Sequence, residues 1–167
     1  VIVGEVLGDE VLPMLNAMSQ GRSGSMCTIH AESSAGVFRR IASYAVQAPE
    51  RLPIEATNLL IAGALHLVVH LDSEMHDVDR TLEAAGTPAG RWDGHAWFPP
   101  RGSRARFVSS VREVIDAEGV QMVSNEVYRP GPDRRAQPAA PLRSATVDEL
   151  RHFGFEVGSS ARAVGGP

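Results

Sequence analysis

Two residues stand where an apolar β-run stops and polar chemistry can begin. Val1-Ile2-Val3-Gly4 closes on Glu5, and residues 25–29 close on His30. A carboxylate at the C-terminal end of a buried strand can orient and deprotonate a water, or hold Mg²⁺ through a water. Open α/β sheets present their ligands at that edge. An imidazole at the matching end of the next parallel strand can donate a hydrogen bond to a phosphoryl oxygen. Taken singly, each has an ordinary structural reading: an acid leaving a strand for solvent, a histidine ending another. Their common register makes a site of them, because two consecutive parallel strands joined by one helix bring both side chains to one edge. The reading requires that acid and imidazole converge on a single triphosphate pocket.

The chemistry of such an edge has a second half. A glycine loop, G-x-x-x-x-G-K-[ST], supplies a lysine that reaches the β- and γ-phosphates. This chain has no lysine, and all sixteen of its basic residues are arginine. The loop is therefore not among these residues. The chain reads as the C-terminal part of an ATPase core, cut just upstream of its acidic strand, and a valine at position 1 agrees with a fragment.

Other groupings are weaker. His66, His70 and His76 with Asp72, Asp77 and Asp79 contain one pair of histidines at helical ligand spacing, but the segment reads as a strand, so a metal site is not expected there. Cys27 lies within a buried strand with no second cysteine, which points to packing. Trp92 and Trp97 fall in a Gly/Pro-rich loop that they can anchor to the core.

The elements that must position Glu5 and His30 follow from periodicity. Residues 1–7 read as a short buried strand. Asp9 can cap a helix to about Gln20, with Val11, Leu12, Leu15 and Met18 on one face. After a turn and the strand ending at His30, Ser33 or Ser34 can cap a helix that turns Val37, Phe38, Ile41 and Tyr44 inward. Pro53 fits the first turn of another helix, and residues 66–71 form a third strand. Strand, helix, strand, helix, helix, strand is the pattern of an α/β domain with a mostly parallel sheet flanked by helices.

Five segments are expected: 1–72 as this core, 73–104 as a polar, flexible Gly/Pro-rich insertion, 105–128 as paired strands completing the core with a β-hairpin, 129–143 as a linker, and 144–167 as a short helix capped by Thr146 with a disordered tail.

Composition bounds the rest. A chain of 167 residues suits one domain. Its net charge of −4 carries no clustered basic excess, which argues against a nucleic-acid surface. One cysteine forbids an intrachain disulfide and fits a reducing compartment. No apolar run is long enough to span a membrane, so direct insertion is not expected.

The motifs, taken in order, resemble a known family. Val1-Ile2-Val3-Gly4-Glu5-Val6-Leu7-Gly8, Met14-Leu15-Asn16-Ala17-Met18 and residues 21–31 resemble the type II/IV secretion ATPases, and within them the tight-adherence pilus branch. That family's acidic strand reads I-V-G-E-V-R-G, followed by D-M-L-x-A-M, a T-G-H-x-G-S turn and a T-I-H-A-N-S histidine box. Arg40-Ile41 matches its R-L pair, while Val111-Arg112-Glu113-Val114 and Asn125-Glu126-Val127-Tyr128 resemble its later strands.

The resemblance implies a partial RecA-like P-loop NTPase core. Glu5 takes the role of the catalytic glutamate, with Mg²⁺ held through a water, and His30 that of the histidine box. Thr28 and Arg40 become supporting or phosphate-sensing positions. ATP and Mg²⁺ are implied for the full-length protein, as are a homo-hexamer, an inner-membrane platform protein as partner, and a cytoplasmic place at the inner face of the plasma membrane. The missing loop leaves this portion inactive alone.

Three positions depart from the family pattern: Leu7 replaces its arginine, Arg22 its histidine, and Glu32 its asparagine. They carry the alternative reading, a non-catalytic relative that keeps the fold as an assembly or interaction module.

Overall fold

A computed structural model describes residues 1–20, 24–75, 91–92, 97–98 and 104–156. Strands β1 (Ile2–Val6) and β2 (Met26–Ile29) run parallel, with Ile2 opposite Met26, Val3 opposite Cys27, and Val6 opposite Ile29. Between Val3 and Val6, β1 therefore takes one more step than its partner. That extra residue is a β-bulge, and it resets the inward-outward alternation of the strand. Val6 is fully buried and Val3 packs against the same core, whereas Glu5 stays on the outside.

The strand is less buried than its composition suggests. Val1, Ile2 and Leu7 are all exposed, because β1 and β2 form a two-stranded sheet with only one face on the helices.

Helix α1 (Val11–Ser19) buries Val11, Leu12, Met14, Leu15 and Met18. Its entry is fastened by Glu10 rather than Asp9: one Glu10 oxygen accepts the N–H groups of Leu7 at 2.5 Å and Gly8 at 3.1 Å. The Leu7 N–H first, then the N–H groups of Glu10 itself and Gly8, hold this carboxyl below its usual range. Helix α2 (Gly36–Gln47) buries Val37, Phe38, Ile41 and Ala45, with Tyr44 partly covered. The N-cap position is Ala35, without a side-chain cap bond, and the Ser33 hydroxyl accepts the Gly36 N–H at 3.0 Å from two residues before it. Helix α3 (Ile54–Ala64) follows Pro53, whose carbonyl accepts the Thr57 N–H. The core lies where these three helices meet, around Leu15, Ile41 and Ile61, and Val68 and Val114 close it from a second sheet.

That second sheet is antiparallel. Strand β3 (Leu67–Met75) is followed by two short strands, β4 (Arg91–Trp92) and β5 (Trp97–Phe98), which pair with each other. Strands β6 (Arg104–Glu118), β7 (Gln121–Pro130) and β8 (Ala136–Pro138) complete the order β3-β6-β7-β8. The hairpin expected over 105–128 is present and longer. Its turn uses Gly119 at φ 59°, and Asn58 of α3 donates to the Gly119 carbonyl at 3.1 Å.

The third strand departs from expectation. β3 pairs with β6 and not with β1 or β2, so the parallel part of this α/β fold is confined to β1 and β2 among the described residues. It also runs on through Ser73, where the core was expected to stop, because Asp72 to Met75 find ladder partners in Phe107 to Arg104. The rest of 73–104, apart from the short pair, lies outside the described residues.

The expected linker, 129–143, is structured. β8 pairs with the end of β7, and the turn between them sends Arg134 to Asp72 at 2.9 Å and Arg135 to Glu74 at 2.6 Å. Both guanidinium groups also lie over the Phe107 ring. Helix α4 (Ser144–Arg151) starts earlier than expected, and its Thr146 bonds Glu113 instead of capping.

Candidate functional site

Glu5 and His30 meet. The His30 Nε2 lies 2.7 Å from a Glu5 carboxylate oxygen, with the Glu5 side chain 41% and the His30 side chain 87% exposed. The contact depends on the bulge, which turns Glu5 outward at the level where β2 ends. Gly4 sits in the same bulge, and the Thr28 hydroxyl of β2 donates to its carbonyl. Thr28 thereby satisfies a backbone acceptor in the irregular stretch and ties the two strands together beside the pair.

These three residues line one side of a cleft of about 420 Å³ that lies between the β1–β2 sheet and β3. His70, Asp72 and Arg106 line it from the antiparallel sheet. An exposed carboxylate–imidazole pair facing an open cleft can order a water: the acid accepts its proton while the ring offers an N–H to an anionic oxygen. Solvent screening makes the same pair a minor contributor to stability.

Arg40 is elsewhere. It lies on the exposed face of α2 with its guanidinium 5.9 Å from the Tyr44 ring, and it is not among the cleft residues. Cys27 is half-buried in β2, and burial pushes its thiol pKa up, which suits packing. Among the described residues no three His, Cys, Asp or Glu side chains group as metal ligands, and His76, Asp77 and Asp79 lie outside those residues. Glu5 is left as a single carboxylate for a hydrated cation.

Sequence reasoning missed two polar features. His70 was weighed only as a metal ligand, yet its ring joins Ser109 and the Ala31 carbonyl. Glu113 passed as a strand residue, yet its carboxylate is fully buried and bound by Arg143 and Thr146. A charged Arg112-Glu113 pair set between Val111 and Val114 in a strand was the available signal for the second.

The family model for type II/IV secretion system proteins matches residues 1–129, from the acidic strand through β7. The chain belongs to that family. Glu5 and His30 both fall within the matched span, and α4 lies beyond it. Among solved structures, the chain is similar to the VirB11 ATPase from the Brucella suis type IV secretion system, crystallised in complex with sulphate. That likeness has 29% identity and a TM-score of 0.42, covering 47% of this chain and 24% of the other. The chain thus spans about a quarter of that protein. No curated protein sequence matches it. No helix among the described residues is long and apolar enough to cross a membrane.

Proposed function

We propose that this chain is part of the motor core of a secretion or pilus-assembly ATPase, coupling ATP hydrolysis to protein secretion or pilus assembly. The observation that supports this reading is the 2.7 Å pairing of Glu5 with His30 at the matching ends of two parallel strands. In it Glu5 orients the attacking water and takes its proton, and His30 donates a hydrogen bond to the γ-phosphoryl oxygen. Thr28 supports the pair. Arg40, remote from the cleft, has no part in this reading.

The donor set fits part of a Mg²⁺–ATP site: an anionic oxygen for a hydrated cation and an N–H for an anion. Bound Mg²⁺ would neutralise charge on the phosphates. The phosphate cradle is not in this sequence, which has no lysine, so turnover needs a glycine loop carried by another segment of polypeptide. The motifs support the tight-adherence branch, a homo-hexamer, a cytoplasmic position at the inner face of the membrane, and an inner-membrane platform protein as partner.

The test is ATP hydrolysis by a polypeptide joining this chain to a loop-bearing segment. Glu5→Gln should abolish turnover and spare ATP binding. Persistent turnover would remove Glu5 from the chemistry.

One observation favours a second reading. Leu7, beside Glu5, is 63% exposed where the family carries arginine, which suits an apolar contact in a non-catalytic assembly module. Failure of the loop-bearing polypeptide to bind ATP would support that module instead.

A further inference from the structure

His70 belongs to β3, yet its ring reaches the segment that carries His30. Nε2 lies 3.3 Å from the Ala31 carbonyl and Nδ1 lies 2.6 Å from the Ser109 hydroxyl. A carbonyl can only accept, so the Ala31 contact puts a proton on Nε2, while the Ser109 hydroxyl meets Nδ1 and also lies 3.3 Å from the His70 carbonyl, to which it donates. Ser109 stands at a second bulge: His70 faces Ser110 and Leu71 faces Val108, which leaves Ser109 between ladder partners. That irregularity lets two consecutive serines both be buried and both serve the same neighbour. Ser109 reaches the 31–34 segment through His70. Ser110 reaches it directly, donating to the Ser34 hydroxyl at 2.7 Å, with the Arg112 Nε at 3.3 Å from the same oxygen.

The run from Ala31 to Ser34 is therefore held at both ends by the antiparallel sheet. The exposed His30 ring has little packing to aim it, with 87% of its side chain accessible. The Ala31 methyl packs on the core and fixes that residue in place, but it leaves the peptide plane free to rotate. A hydrogen bond to the Ala31 carbonyl fixes the Ala31–Glu32 plane, the second peptide after His30, and so limits how the segment carrying His30 can turn.

We infer that His70 is a positioning residue: by holding the Ala31 carbonyl, it keeps the His30 imidazole in contact with Glu5. Any consequence for turnover rests on the function proposed above, but the positional claim does not.

The test reads the contact without activity. His30 ring ¹⁵N shifts are measured in the chain with and without Glu5→Gln, whose effect reports the pair. In His70→Ala this response should be lost, and in His70→Gln, whose amide keeps one donor and one acceptor, it should return. A folded His70→Ala chain with an undiminished response would overturn the assignment, as would a His70→Gln chain no better than alanine. If His70→Ala does not fold, Ser109→Ala decides: a reduced response supports the assignment and an unchanged one overturns it. A parent chain indifferent to Glu5→Gln would sink both the pair and its positioning. An intact response in a loop-bearing polypeptide without turnover would sink only the proposed function.

Discussion

Val3 and Val6 pack toward the same core although they are three residues apart on one strand. In a regular strand Val3 and Glu5 would share a face and Val6 would oppose them. The bulge between them reverses this, so neighbouring positions 5 and 6 should respond very differently to substitution. Val6→Ala removes two methyl groups from a fully buried site and should cost about 2 kcal/mol. Glu5→Gln, on the screened outer face, should stay within about 0.5 kcal/mol. Urea denaturation of both variants measures this directly. Equal losses would mean that Glu5 faces inward.

Thr28 should be read through its hydroxyl alone. Thr28→Ser keeps the donor to the Gly4 carbonyl and should leave stability unchanged. Thr28→Val keeps the shape but deprives that carbonyl of its partner, for a loss of about 1 kcal/mol. Similar values for the two variants would show that water replaces the hydroxyl without penalty.

Glu113 carries the pH dependence. Burial alone would raise its pKa, but the Thr146 hydroxyl, the Arg143 N–H and the Arg143 guanidinium outweigh it and hold the carboxyl below its usual value of 4.5. A carboxyl depressed in the folded state binds protons less readily than in the unfolded chain. Its contribution is therefore complete above the unfolded value and is lost as pH falls through the folded one. Thermal melts from neutral pH down to about pH 3 should show Glu113→Gln flattening this acid limb. Glu113→Ala at neutral pH should cost about 1–3 kcal/mol, since the Arg143 and Thr146 donors lose their acceptor while the half-exposed guanidinium can turn to water.

Gly119 turns the β6–β7 hairpin at a φ of 59°. Alanine there should cost about 1–2 kcal/mol from the left-handed backbone alone, because no atom lies within 4 Å of the added Cβ. Asparagine should recover part of that loss. Equilibrium unfolding of the two variants separates backbone strain from packing.

The sequence was most legible where local pattern and topology coincide. Alternation in 106–115 and 120–128, with a glycine between, specified the hairpin without any tertiary knowledge. Glu5 and His30 could be brought together because one helix between two short strands leaves little choice but a parallel pair. The partner of β3 could not be read, since an apolar run fits either kind of ladder and β6 lies far along the chain. The prolines of 129–143 hid an edge strand, because Pro138 is tolerated opposite Tyr128 only at the margin of a sheet. The contact between Glu113 and Arg143 spans thirty positions and leaves no spacing signature. The irregularities of the ladders do not announce themselves in residue type, yet one turns Glu5 outward and another brings Ser109 to His70.

Helix α4 buries no residue of its own. It is moored to the rest of the protein through the Glu113 carboxylate and the Val114 carbonyl. Its amides should therefore exchange with solvent deuterium well before those of α1 or α3, and do so together. Opening of α4 should thus leave the three-helix core standing.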